Sequence, residues 1–282
     1  MKGGYFLLNG KFHKEDEAVF TLADLSRRME GFSETFRAEH NEILFAESIS
    51  RHLLATAETI GADLNGYIDP GGKLLRKDVS RLLNKNKLYM AARIEIQIFP
   101  ADMRIQILLR AEEIEKGYYP VREPGFLLSF YHDRQASTQS SSAYSATGFF
   151  VRQGARRLAA ALNKPDMILL NTEGYACESL YGSFGCMKGG TVSFPSAGSG
   201  GYRCAILEEV IRSAKDAGFQ TIERDDITKD ELLGADELFL FDACYGIQKI
   251  LGLEEQRYYS TKTQLIAAKL SELAKKGRQE LV

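Results

Sequence analysis

Alternating hydrophobic and polar positions in the first part of the chain predict a sheet-rich region. Tyr5–Leu8 and residues 19–22 are short apolar runs, and Asn9-Gly10 is typical of a tight turn. The longest alternating segments are residues 88–99 and 104–109, where isoleucine recurs at every second position. This period of two is that of a strand with one buried face, so both segments are predicted as strands.

Helical periodicity interrupts these strands twice. Apolar residues at helical spacing predict a helix over residues 47–60, which Gly61 ends, and a second helix over residues 78–83. Residues 33–37 and 43–46 are predicted as a hairpin before the first helix. The first part of the chain therefore combines strands with two helices.

The second part begins after a polar run, residues 133–143, whose composition is that of a linker or a mobile active-site loop. Beyond it, the pattern predicts a helix at 149–162, a buried strand at 167–170, a hairpin at Lys188-Gly-Gly190, a helix at 203–217, a capping box at Thr228-Lys-Asp-Glu231, a strand at 237–241 and a helix at 262–275. The order shows no repeat and predicts an α+β fold. The predicted domains are residues 1–131 and 147–282, joined by an interdomain loop at 132–146.

Charge and cysteine usage narrow the class of protein. The 282 residues carry a net charge of −2, so no basic surplus exists to bind nucleic acid or an anionic membrane. No apolar run approaches the length of a membrane span. Four cysteines without a CxxC pair indicate free thiols in a cytoplasmic protein, and the four histidines lack metal-ligand spacing, so no metal is expected.

The glycine-rich stretch 198–203 lacks the GK[ST] ending of a P-loop and the third glycine of a dinucleotide fingerprint. A glycine-rich turn that opens a helix can still present backbone N–H groups to an anion. Most such loops are only helix entries, so the anion cup is the less common interpretation. Glu178 lies among apolar and small residues, where it is either exposed at an edge or paired internally, with exposure the commoner case.

Several motifs together resemble one enzyme family. They are Gly31-Phe-Ser-Glu-Thr-Phe-Arg37, His52–Ile60, Asn171–Gly185, Gly200–Arg203 with the helix that follows it, and Ile227–Ile250. In order and spacing the chain resembles the fold-type IV pyridoxal-phosphate (PLP) enzymes, which include branched-chain and D-amino-acid aminotransferases and aminodeoxychorismate lyase. The resemblance implies a two-domain subunit with its cofactor, PLP, at the domain interface, a small-molecule substrate and a homodimer.

The resemblance also assigns the reactive positions, and here the chain departs from the family. Glu178 stands where the family's glutamate pairs with the pyridine nitrogen. The Schiff-base lysine falls on Tyr144, and the sequence contains no lysine between Lys116 and Lys164. Phe149 replaces the tyrosine that touches the ring hydroxyl. A phenol forms no imine, so the resemblance predicts loss of ordinary transamination.

The phosphate contacts implied by the resemblance are altered as well. His52 replaces the family's arginine, and Ala243 replaces a hydroxyl residue. The backbone donors of Gly201 and Tyr202 remain. Arg37 and Arg93 are candidate substrate-binding groups, and a solvated position on a strand face is an equally good interpretation of both.

Three functions are consistent with this pattern. The first is a degenerate family member that binds a small anionic or amino-acid-like ligand in the interdomain cleft without standard transaminase activity. The second is a working PLP-dependent aminotransferase or aminodeoxychorismate lyase-type enzyme of amino-acid or folate metabolism. The third is a structural or interaction protein whose cleft is vestigial.

Overall fold

The computed structural model describes residues 4–27, 30–101, 104–136 and 149–279. The chain divides into two compact units, the first comprising residues 1–118 and 277–282 and the second residues 119–276. This division falls before Tyr119, whereas the sequence placed the first boundary after residue 131. Among the described residues, no helix has the length and apolarity needed to cross a bilayer.

The first unit is built on a six-stranded sheet in the order β2-β1-β6-β5-β3-β4. Its elements are β1 (Tyr5–Leu8), β2 (Lys11–Lys14), α1 (Leu22–Arg27), β3 (Phe32–Glu39), β4 (Glu42–Ile43), α2 (Ala46–Thr59), α3 (Lys73–Asn86), β5 (Ala91–Ala101) and β6 (Arg104–Glu113). All its strand pairs are antiparallel.

The predicted alternation of β5 is confirmed, since Ile94, Ile96 and Ile98 are all buried. The predicted helix 47–60 and the hairpin at 38–42 are also present, with His40 and Asn41 at positive φ in the turn. The helix predicted at 78–83 is longer and spans α3.

The predicted strand at residues 19–22 is wrong. Strand β2 pairs with β1 instead, and residues 22–27 form α1. Thr21 and Asp24 bond reciprocally at the start of this helix, because the Asp24 carboxylate accepts the Thr21 N–H and the Thr21 hydroxyl oxygen accepts the Asp24 N–H. These local hydrogen bonds favour a helix start over an extended chain.

The second unit carries a nine-stranded sheet in the order β12-β11-β10-β13-β14-β7-β8-β9, with β15 paired to β14. Its elements are β7 (Phe126–Ala136), α4 (Phe149–Ala161), β8 (Met167–Asn171), β9 (Ala176–Ser179), β10 (Ser183–Lys188), β11 (Thr191–Pro195), a 3-10 helix (Ala197–Ser199), α5 (Leu207–Asp216), β12 (Gln220–Arg224), α6 (Lys229–Leu233), β13 (Glu237–Asp242), β14 (Gly246–Leu253), β15 (Gln256–Arg257) and α7 (Thr261–Gln279).

Two features of this unit differ from the sequence prediction. Strand β7 runs through residues 133–136, which were predicted as part of the polar loop, and the rest of that loop lies outside the described residues. Helix α5 begins at Leu207, whereas the sequence placed the start at 203. The capping box at Thr228 is confirmed, with both reciprocal hydrogen bonds present.

The core of the second unit lies against its sheet. Phe194, Phe239 and Phe241 are fully buried, and Phe194 meets each of the other two rings edge-on with centroids about 6 Å apart. This packing fixes β11 and β13 on either side of β10.

Candidate functional site

The turn Asn171–Tyr175 positions the site. The Asn171 side-chain oxygen accepts the backbone N–H groups of Glu173 (3.0 Å) and Tyr175 (2.9 Å), and Gly174 supplies the positive φ of the turn. The Asn171 amide also donates to the Ser199 carbonyl at 3.1 Å. The Asn171 side chain thus fixes the turn that precedes β9 and attaches this turn to the 3-10 helix.

Glu178 lies on β9 and is only 2% exposed. Its Oε2 accepts the Arg152 Nη2 of α4 at 2.7 Å and the backbone N–H of Tyr202 at 2.7 Å. The exposed position favoured by the sequence is therefore wrong, and the alternative of internal pairing is correct. Arg152 was not identified from the sequence, because nothing in the local pattern links α4 to a residue 26 positions away.

Among the residues that the structure describes, Glu178 and Tyr202 hold Arg152. Besides its ion pair with Glu178, its guanidinium lies over the Tyr202 ring, 5.3 Å from the ring centroid. Its side chain is 14% exposed. The three residues form one cluster, which we call the Glu178 cluster: Glu178, Arg152 and Tyr202.

Gly201 allows the cluster to form. A Cβ at this position would lie 1.9 Å from the Cys177 carbonyl oxygen, so any other residue would collide with the backbone of β9. The close approach brings the Tyr202 N–H to Glu178. The Gly201 N–H itself points to the Ser199 hydroxyl oxygen, at 3.4 Å.

The glycine-rich turn at Gly201 and Tyr202, for which an anion cup was the less common interpretation, does not open a helix. Helix α5 starts at Leu207, and its first turn carries Glu208 and Glu209, which compensate the helix dipole with negative charge. Both predicted backbone donors have protein acceptors in the structure.

His52, predicted in place of the phosphate-binding arginine, has a carboxylate neighbour in the first unit. Its Nε2 lies 3.0 Å from the Glu34 Oε1, and both side chains are about nine-tenths buried. The adjacent Arg51 lies on the exposed face of α2 and pairs with Glu47 at 2.6 Å.

Arg37 and Arg93 are cross-strand partners on β3 and β5. Arg37 is 1% exposed, its Nε donates to the Glu39 Oε2 at 3.0 Å, and its Nη2 donates to the Glu115 carbonyl. Arg93 is partly exposed and lies 3.5 Å from the Glu112 carboxylate. A substrate-binding role for either stays a prediction.

The other predicted positions are described in part. Ala243 is buried after β13, and its carbonyl accepts the Tyr119 hydroxyl at 3.2 Å. Phe149 begins α4, but its side chain is outside the description, and Tyr144 lies outside the described residues altogether.

Asp166 is a buried acid that the sequence analysis missed. Its Oδ1 accepts the backbone N–H groups of Met167 (2.6 Å) and Leu180 (2.8 Å), which join the start of β8 to the end of β9. Burial raises the pKa of this carboxyl to about 7 despite these hydrogen bonds. Asp166 holds the hairpin that carries Glu178.

The family model described as "Amino-transferase class IV" matches residues 31–252. The chain belongs to this family. The class IV aminotransferase family is PLP-dependent, as the resemblance implied. The resemblance itself is therefore confirmed.

Individual relatives extend the match over nearly the whole chain. A probable branched-chain-amino-acid aminotransferase of Thermotoga maritima is 24% identical over 265 residues, covering 93% of this chain and 92% of that protein. The crystal structure of a branched-chain aminotransferase from Thermoproteus uzoniensis with norvaline has a TM-score of 0.84 at 20% identity, covering 99% of this chain and 97% of the other.

The structure of a hypothetical aminotransferase from Mycobacterium tuberculosis, in a PLP-bound form, has a TM-score of 0.81 at 12% identity and covers 97% of this chain and 100% of the other. At these identities the solved structures establish the fold alone. The predicted α+β fold of the fold-type IV kind is confirmed.

Proposed function

We propose that this class IV aminotransferase family member binds a small anionic or amino-acid-like ligand at the Glu178 cluster and does not carry out ordinary transamination. The observation that carries the proposal is the ion pair of Glu178 with Arg152. Glu178 stands at the position whose carboxylate would pair with a protonated pyridine ring. In this chain the carboxylate is already paired with a cation of the protein, the Arg152 guanidinium.

The sequence around Tyr144 supports the same conclusion. A lysine amine holds the cofactor as an imine and moves the α-proton as a general base. The chain has no lysine from 117 to 163, and a phenol cannot form an imine. No step of ordinary transamination can therefore begin on a side chain in this stretch.

The described residues at the family's other cofactor positions do not fit a phosphorylated pyridinium. A phosphate dianion needs cations and free N–H donors. The Tyr202 N–H is bonded to a carboxylate, and His52 lies beside Glu34. Each of these groups already has a carboxylate neighbour, which a phosphate would have to displace.

A second candidate function is a PLP-dependent aminotransferase or lyase that holds its cofactor without an imine. The retained buried carboxylate of Glu178 favours it, because such a group serves a ring nitrogen. The near-complete coverage of the relative from Thermotoga maritima, named as a probable branched-chain-amino-acid aminotransferase, also favours it.

An absorbance scan of purified protein with added PLP, followed by borohydride reduction and mass spectrometry, separates the two. We expect no imine band, no attached pyridoxyl group and no turnover of an amino-acid panel. A pyridoxyl group on any side chain together with turnover would contradict the proposal.

A thermal-shift screen then identifies the ligand class. Small carboxylates that carry an uncharged O–H or N–H donor, such as hydroxy acids and N-acyl amino acids, are expected to raise the melting temperature, and PLP at micromolar concentration is not. The shift should disappear in Glu178→Gln and persist in Glu173→Gln, an exposed glutamate five residues earlier. A homodimer and a cytoplasmic location remain predictions.

A further inference from the structure

The two oxygens of Glu178 have different surroundings. Oε2 accepts both the Arg152 Nη2 and the Tyr202 N–H, each at 2.7 Å. Among the residues that the structure describes, no donor reaches Oε1. A carboxylate can accept several hydrogen bonds, so an oxygen of this nearly buried residue that accepts none is an open acceptor.

The charge of this carboxylate is already compensated. A guanidinium stays protonated in proteins and forms strong charge-assisted bonds with carboxylates. Arg152 is fixed in place by Glu178 on one side and the Tyr202 ring on the other. The open oxygen therefore belongs to a neutral ion pair rather than to a free anion.

We propose that Arg152 permanently fills the cation position beside Glu178, so that Oε1 accepts an uncharged N–H or O–H donor of the ligand and disfavours a pyridinium. A second cation on Oε1 would lie within a few ångström of the guanidinium, in a site with little water to screen the repulsion. This inference rests on the proposed function only for the location of the ligand.

Pyridoxine 5′-phosphate is a suitable probe because it has the pyridine nitrogen but no aldehyde. Isothermal titration should show weak binding to the wild-type protein and binding at least tenfold tighter to Arg152→Gln, where the ring nitrogen can protonate against Glu178. The gain should vanish in the double variant Arg152→Gln/Glu178→Gln. Benzyl phosphate, which lacks the nitrogen, should show no gain.

Arg156→Gln is the matched control. Arg156 lies one turn along α4, is exposed, and contacts the Tyr181 ring, 5.7 Å from its centroid. Its removal should leave the affinity for pyridoxine 5′-phosphate within twofold of the wild type. Equal gains in both arginine variants would show a general charge effect and overturn the proposal.

Thermal melts cover the case in which Arg152→Gln is poorly folded. The probe replaces the missing cation, so it should raise the melting temperature of Arg152→Gln and leave that of the wild type unchanged. Affinity or stabilisation no greater in Arg152→Gln than in the wild type overturns the inference. Since the probe cannot form an imine, this result is independent of the test for transamination.

Discussion

Each unit contains a buried arginine–carboxylate pair, and the two pairs differ in how completely the carboxylate is bonded. In the first unit, the Glu39 Oε2 accepts Arg37 and its Oε1 accepts the Gly117 N–H at 2.9 Å. In the second unit, Arg152 and the Tyr202 N–H both donate to the same oxygen of Glu178, Oε2. One carboxylate is saturated by the protein, and the other retains an acceptor.

We propose that this difference separates a structural pair from a ligand-binding pair. A buried ion pair whose atoms are all bonded fixes the chain, and nothing is left for a ligand to bind. A buried carboxylate with one open oxygen carries a desolvation cost that a ligand donor can relieve. We therefore propose that the Glu39 pair serves folding and that the Glu178 cluster serves binding.

Glu39→Gln should cause the largest loss of stability. It leaves the Arg37 guanidinium, 1% exposed, without a counter-charge, and breaking such a pair costs about 3–5 kcal/mol. Urea unfolding measures the loss. The control is Glu112→Gln, which removes the exposed partner of Arg93 and should cost under about 1 kcal/mol. Similar losses in both variants would contradict the structural role of Glu39.

Asp166 extends the comparison to a buried carboxyl held by backbone N–H groups. Its pKa rises from the ordinary value to about 7 on folding, so between these values the folded state binds more protons than the unfolded state. Stability from this group is therefore present at low pH and lost as the pH rises through 7. At pH 8 the cost is at most about 4 kcal/mol, because each pKa unit corresponds to about 1.4 kcal/mol.

Asp166→Asn keeps an oxygen acceptor and removes the charge. It should therefore be more stable than the wild type in urea at pH 8 and close to it at pH 4. Asp216→Asn, at an exposed aspartate at the end of α5, should show no such pH-dependent gain. A variant less stable than the wild type at pH 8 would mean that the ionised Asp166 carboxylate stabilises the folded protein, so that its pKa is not raised on folding.

Local patterns in the sequence predicted the elements that local forces determine. The isoleucine alternation of β5 and the capping box at Thr228 both follow from residues a few positions apart. The strand predicted at 19–22 failed, because the helix start formed by Thr21 and Asp24 outweighs the apolar run.

Only the part of the candidate site that lies in a family motif could be predicted from the sequence. The resemblance placed Glu178, but its partner Arg152 lies 26 residues away, on a helix with arginines at several positions. Which arginine meets the carboxylate depends on how α4 packs against the sheet. The need for glycine at 201 likewise depends on the Cys177 carbonyl, a contact that no local pattern encodes.

Gly201→Ala should cause a moderate loss and act mainly on the Glu178 cluster. The added methyl would lie 1.9 Å from the Cys177 carbonyl oxygen, so the loop must move and take the Tyr202 N–H away from Glu178. Such overpacking costs about 1–3 kcal/mol. Gly190→Ala, where a Cβ meets nothing within 4 Å, should change the unfolding free energy by under about 0.5 kcal/mol.

Glu178→Gln should cause a smaller loss of stability than Glu39→Gln if its role is binding. The glutamine oxygen can still accept the Tyr202 N–H, and Arg152, at 14% exposure, can recover part of its hydration. We expect about 1–2 kcal/mol in urea unfolding, well below the loss in Glu39→Gln. Ligand-induced stabilisation, by contrast, should be lost in Glu178→Gln and kept in Glu39→Gln measured at the same fraction folded. A contradicting result would be that Glu178→Gln loses as much stability as Glu39→Gln and still binds ligand. The open oxygen would then have no binding role, and the pair would serve only to hold α4 against β9.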